Sequence, residues 1–267
     1  MKSRLLVAAV GVPLIFWLIL WAPEWALALT LALLSGVGAY ELMSCVGAVR
    51  SCQPLCALTV AAAMLAVAAA WAAPGWLLPL LVVYCLLAFA MGVWGAGQVK
   101  FTHLMAGIFA AVIISYAFAS FLRLNELAVH QAFLLLPLLF SFASDSGAFF
   151  AGRALGKHKL APRVSPHKTV EGALGGLLTN AAAGVLFALV MNRAAGYHIS
   201  YIGIALVGLV CSVVAQLGDL SFSLIKREFG VKDYGRIFLE HGGVLDRFDS
   251  VIFVAPALSV VLPLLWL

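Results

Sequence analysis

Apolar residues run almost without pause along this 267-residue chain, and short polar breaks cut the run into nine stretches. A helix that crosses a bilayer needs roughly 20 consecutive, mostly apolar residues. By that measure the pattern predicts spans over residues 5–22, 25–48, 55–73, 76–97, 103–122, 131–150, 169–191, 200–222 and 249–267. The breaks fall at Pro23-Glu24, at Arg50 to Pro54, at Pro74-Gly75, at Gln98 to Lys100 and at Arg123 to His130, followed by three longer polar stretches. The expected fold class is all-α, a polytopic integral membrane protein. Two parts are expected: N-terminal transmembrane helices over 1–130, and a C-terminal transmembrane catalytic region over 131–267 carrying polar loops at 151–168 and 223–248.

Lys2 and Arg4 ahead of an apolar run resemble the opening of a secretory signal. A cleaved signal normally precedes a soluble chain, whereas here further spans follow, so this segment reads as a retained first helix. Small residues gather inside the spans, at Ser35 to Ala39 and at Gly172 to Gly176. Such runs let membrane helices approach closely and predict packing seams rather than sites.

Composition sharpens the class. Hydrophobic residues make up 64% of the chain and charged residues 10%, and the mean hydropathy is +1.10. Soluble domains carry about a quarter charged residues, so this chain lacks the means to cover a water-facing surface. The net charge of +5 comes from cations that flank apolar spans, and no polar surface interleaves them with aromatics, so nucleic acid is not an expected partner. With the N-terminus inside, fourteen Lys and Arg fall on the inner side and only Arg123 and Arg193 outside, which puts both large polar loops in the cytoplasm. The five cysteines form neither a C-x-x-C pair nor a zinc spacing and are expected to be inert.

Three polar constellations stand out against this background. Asp145 lies near the end of the sixth span, in Ser144-Asp145-Ser146-Gly147. A carboxylate there costs about 2.5–3.5 kcal/mol on insertion scales, which calls for a cavity or a partner such as Arg153 or Lys157. The second runs from Gly156 to Gly172. Ser165-Pro166 reads as an N-cap and first helical position, and a helix start with Lys168-Thr169 beside it suits a phosphate. The P-loop pattern is absent, and a purely topogenic basic loop is the plainer alternative.

The third stretch runs from Gly218 to Ser250 and is the most informative. If the eighth span stays helical, Asp219, Ser223 and Lys226 share a face, and Asp246 and Asp249 share one at the start of the ninth. Carboxylates flanking a basic, glycine-containing loop suit a metal-dependent phosphoryl or nucleotidyl transfer, because Mg²⁺ is held by a few carboxylates together with substrate phosphates. His241 either orients a phosphate or caps the loop.

These residues resemble the phosphatidate cytidylyltransferase (CDP-diglyceride synthase) family. The resemblance rests on Ser223, Ile225-Lys226-Arg227, Lys232-Asp233, Gly235, His241-Gly242-Gly243, Asp246-Arg247 and Asp249, and upstream on Asp145 through Gly172. It covers the second half strongly; the first half resembles the family only in length and hydropathy. It implies CTP and phosphatidic acid as substrates, membrane lipid as surroundings, a homodimer, and a cell membrane location with the site facing the cytoplasm. Mg²⁺ is the implied cofactor, with a monovalent cation as an optional second ion. The implied metal ligands are Asp219 and Asp246, supported by Asp249. Asp145, Ser223 and Lys226 join Asp219 and Asp246 as catalytic residues. Substrate binding falls to Ser165, Lys168, Thr169, Arg227, Lys232, His241, Gly242, Gly243 and Arg247.

Two positions depart from the family: Leu239-Glu240 stands where Pro-Gly is usual, and Phe222 where Glu is frequent. Glu240 is expected to weaken CTP binding or to pair with Arg236. The competing readings are a transporter for an anionic solute, a catalytically impaired family member acting as a scaffold, and a CDP-alcohol phosphotransferase, whose D-G-x-x-A-R motif is missing here.

Overall fold

In the computed structural model the described residues are 11, 13–95, 97–127, 131–237 and 242–265. Among them the long apolar runs are helices. These are α1 (Glu24–Cys45), α2 (Gln53–Ala72), α3 (Leu77–Trp94), α4 (Phe101–Ile108), α5 (Ser115–Leu127), α6 (Leu136–Leu155), α7 (Val170–Ala194), α8 (Tyr201–Glu228) and α9 (Val244–Val261). A π-helical stretch, Phe109–Ile114, joins α4 to α5, so the two make one span over Phe101–Glu126.

Among the described residues seven helices are long and apolar enough to cross a membrane, against the nine spans expected over the chain. Of the expected first span, 5–22, residues 5–10 and 12 lie outside the described residues, and 13–20 are helical. The expected ninth span is the helix α9, which begins five residues early and so takes in Asp246 and Arg247 as well as Asp249. Polytopic and overwhelmingly helical, the protein is a multi-pass membrane protein.

The chain divides into two compact units. The first holds Met1–Glu126, His130–Ala132 and Glu228–Phe248, and the second Leu127–Val129, Phe133–Arg227 and Asp249–Leu267. The polar segment 228–248 therefore belongs with the N-terminal helices. In the first unit Met43, Leu55, Tyr84, Ala88, Leu104 and Ala111 form a buried cluster. Its polar centre is satisfied by a 2.9 Å hydrogen bond between the Thr59 and Tyr84 hydroxyls. The expected seam at Ser35 to Ala39 is a real one: the Ser35 hydroxyl donates to the Ala63 carbonyl at 3.3 Å, which joins α1 to α2.

In the second unit α6 and α7 pack through small residues. A Cβ on Gly172 would stand 2.7 Å from the Ala148 carbonyl oxygen, and one on Gly176 would stand 2.9 Å from that of Ser144. Helix α8 is tied to both. The Ser144 and Ser212 hydroxyls are 2.8 Å apart, Gln216 Nε2 donates to the Ala173 carbonyl at 3.1 Å, and Asn180 Nδ2 donates to that of Gly208 at 3.3 Å. In an apolar solvent such pairs satisfy polar groups that would otherwise stay unmatched.

One expectation is corrected here. Ser165-Pro166 does not open a helix. Ser165–Thr169 is strand β2, paired antiparallel with β1 (Lys159–Ala161) in a register of Lys159 with Thr169 and Ala161 with Ser165. The N-cap of α7 is Thr169, whose hydroxyl accepts the Gly172 N–H at 3.1 Å. Both positions present a hydroxyl three residues before a plausible first turn, and strand pairing decides between them. Proline tolerates the strand because an edge position asks for no N–H.

Candidate active site

The hairpin and three helices of the second unit enclose a pocket of about 440 Å³, lined by Asp145, Phe149, Arg153, His167, Lys168, Thr169, Gln216 and Asp219 among others. Three of these groups, from three different elements, carry the charge at its centre. Asp145 projects from the middle of α6, Lys168 from β2 just before α7, and Asp219 from α8.

Lys168 is the electrostatic centre. Its ammonium forms an ion pair with Asp219 Oδ2, and both side chains are about three-quarters buried, with 27% and 21% of their surface exposed. Asp145 and Asp249 also act on Lys168. Burial pushes the Lys168 pKa below its ordinary 10.5, and the two aspartates oppose that fall. Arg153 adds a second cation to the pocket wall. The Ser223 hydroxyl donates to Asp219 Oδ1 at 3.5 Å, the one-turn relationship expected on α8.

The hairpin itself is fastened at both ends. Glu171 accepts the Lys157 N–H at 3.0 Å and that of His158 at 3.2 Å, and its Oε1 lies 2.6 Å from His158 Nδ1. At the turn, Arg227 Nε donates to the Val164 carbonyl at 3.4 Å. Arg227, expected at a phosphate, thus also anchors backbone. Thr169, expected to bind substrate, lines the pocket with a hydroxyl engaged in capping. Ser165 sits half-buried in β2, and Lys226 lies half-buried in the last turn of α8.

The remaining expected residues lie in the first unit, Asp249 excepted. Gly242 has φ +79°, the left-handed region open to glycine, and Gly243 immediately precedes α9. Asp246 Oδ2 accepts two backbone N–H bonds, from Tyr234 at 2.7 Å and from Gly243 at 3.0 Å. Lys232 and Arg247 are exposed. His241, and with it Leu239-Glu240, lies outside the described residues. In the second unit Asp249 Oδ1 accepts the Ser250 N–H at 2.7 Å. Phe222, expected as a departure from the resembled family, is fully buried and meets the Phe253 ring edge-on at 6.2 Å between centroids.

Among the described residues no three of His, Cys, Asp and Glu converge as a ready-made metal cage. The donor chemistry nevertheless fits a hard divalent ion of the Mg²⁺ kind, which takes one or two carboxylates and completes its shell with water and substrate phosphate.

Sequence reasoning missed two residues. Gln216 lines the pocket between α7 and α8. Glu41, 3% exposed in α1, accepts the Val244 and Leu245 N–H groups at 3.0 and 2.9 Å. The available signal was an ionisable residue inside an apolar span, which by default marks a functional position.

Comparison with known proteins supplies the family. The pattern of the cytidylyltransferase family matches residues 2–265. A phosphatidate cytidylyltransferase of Staphylococcus epidermidis is 42% identical over 159 residues, 59% of this chain and 60% of the relative. That of Bacillus subtilis is 42% identical over 156 residues, 58% and 56% of the two chains. That of Brucella suis is 43% identical over 147 residues, 54% and 53%. The chain thus spans between half and two thirds of the length of these relatives. With a family match over nearly its whole length, this chain belongs to the cytidylyltransferase family.

Proposed function

We propose that the protein transfers the cytidylyl group of CTP to phosphatidic acid, forming CDP-diacylglycerol and pyrophosphate for phospholipid synthesis. The observation that carries this reading is the Lys168–Asp219 ion pair, flanked by Asp145, in a pocket at the ends of membrane helices. The names of the relatives support the same chemistry.

A phosphate oxygen of phosphatidic acid attacks the α-phosphorus of CTP, the bond from that phosphorus to the bridging oxygen breaks, and pyrophosphate leaves with the electron pair. No covalent enzyme intermediate is needed. Lys168 binds phosphate oxygens as an ammonium, and Arg153 and His167 line the same pocket. Ser223 orients Asp219. Asp145 balances Lys168 before substrate arrives. Asp219 and Asp249, both acting near Lys168, are the carboxylates we assign first to a divalent cation, with Asp246 assigned on the strength of the motif alone. When bound, such a cation offsets the charge that develops on the phosphates. Lys226, Lys232 and Arg247 are assigned to substrate phosphates on the strength of the motif.

The reading includes a cell membrane location with the pocket facing the cytoplasm, supported by the fourteen-to-two division of Lys and Arg. It also includes a homodimer, to be tested by the mass of the detergent-solubilised particle. The deciding experiment supplies purified protein with labelled CTP, phosphatidic acid and Mg²⁺. Label in the lipid with equimolar pyrophosphate, lost on chelation and regained with Mg²⁺, supports the proposal. A folded protein that transfers no label while a relative does so under the same conditions sinks it.

A further inference from the structure

Helix α9 begins without a capping side chain of its own, because Gly243 stands immediately before Val244. The first amides of a helix have no partner within it, and Ser, Thr, Asp or Asn usually supplies one. Here α1 supplies it. Glu41 Oε1 accepts the Val244 N–H at 3.0 Å and Oε2 that of Leu245 at 2.9 Å, across 203 and 204 residues of sequence. Asp246 takes the Gly243 N–H at 3.0 Å, so two carboxylates satisfy three successive amides at this helix start.

The surroundings are shaped to this carboxylate. A Cβ at Gly243 or at Gly235 would overlap the Glu41 carboxyl group, so both glycines leave room for it. The site is sealed, with Glu41 3% exposed. Burying a carboxylate at membrane depth is unfavourable unless charge-assisted hydrogen bonds and a helix N-terminus compensate, and both are present. Asp246 Oδ2 accepts from Gly243 and Tyr234, and the Gly243 amide directly precedes the two that Glu41 holds.

We infer that Glu41 is a positioning residue: it holds the start of α9 and thereby the direction of the Asp246 carboxylate, without touching substrate. The catalytic half of this statement rests on the function proposed above; the capping half does not. Glu41→Gln keeps the shape but offers one acceptor oxygen and turns an NH₂ group toward the other amide.

The test uses full-length protein in detergent and has two readouts. In Glu41→Gln, hydrogen exchange at the Val244 and Leu245 amides rises about tenfold or more, as for loss of a charge-assisted hydrogen bond. Exchange elsewhere stays as in the unchanged protein. Turnover falls by a similar factor, the KM for CTP stays within about threefold, and the Mg²⁺ concentration for half-maximal rate rises, the pattern of a misdirected group rather than lost binding. Unchanged exchange at these two amides overturns the inference, as does full turnover despite faster exchange. Loss of protection throughout the helices would make Glu41 a support of the whole fold and also overturn it. If the unchanged protein transfers no cytidylyl group, the proposed function fails, and the exchange result still decides the cap.

Discussion

Lys168 and Asp219 form an ion pair that joins strand β2 to helix α8 across 51 positions of sequence, with both groups largely withdrawn from solvent. Breaking one partner of such a pair leaves the other uncompensated, so their substitutions are expected to couple strongly.

Asp219→Asn and Lys168→Met should each lower turnover at least about a hundredfold, the scale of losing a preorganised charged group at a reacting phosphate. The double variant should be far less damaged than the product of the two. Rates of cytidylyl transfer for the four proteins check this; strictly multiplicative losses would mean that the pair does not act as a unit.

The pH dependence follows from Lys168. Burial disfavours its ammonium, so its pKa lies below 10.5, and a divalent cation beside it would lower it further. The ammonium is the phosphate-binding form, so kcat/KM should hold at lower pH and fall on the alkaline side at a pH below 10.5. Bound phosphate favours the ammonium, so the fall in kcat should come at higher pH than that in kcat/KM. Lys168→Arg should remove the alkaline fall, which a pH-rate profile would show.

Thr169 caps α7 through the Gly172 N–H. Thr169→Ala should destabilise the protein by about 1 kcal/mol, and Thr169→Ser should retain most of the stability. Melting temperatures in detergent compare the two.

The α6–α7 seam predicts a contrast between two glycines. A Cβ at Gly176 would lie 2.9 Å from the Ser144 carbonyl oxygen, whereas one at Gly75 meets nothing within 4 Å. Gly176→Ala should cost about 1–3 kcal/mol, as overpacking does, and Gly75→Ala almost nothing. Thermal melts of both variants check the seam.

Several members of the candidate site were legible in advance. Asp145, Lys168, Thr169 and Asp219, separately flagged along the chain, line one pocket, and Ser223 lies beside Asp219 as helical spacing requires. The hairpin was not legible, because Ser165-Pro166 and Thr169 are both sound helix starts by local chemistry. The choice between them comes from β1 pairing with β2. Arg227 was legible as a cation at the end of an apolar span, but its bond to the Val164 carbonyl was not.

The sequence by itself determined the membrane class, the approximate helices and the motif-bearing half, because each depends on composition and spacing within about 20 residues, the length of a span. Only the tertiary structure decided which polar groups meet. Glu41 looks like an isolated charge in α1 until folding brings it to the amides of Val244 and Leu245. Lys168 looks like one of many loop cations until β2 turns it to Asp219. The physical reason is the same in both cases. A buried charge must find its partner wherever packing supplies one, and the distance along the chain carries no information about where that is.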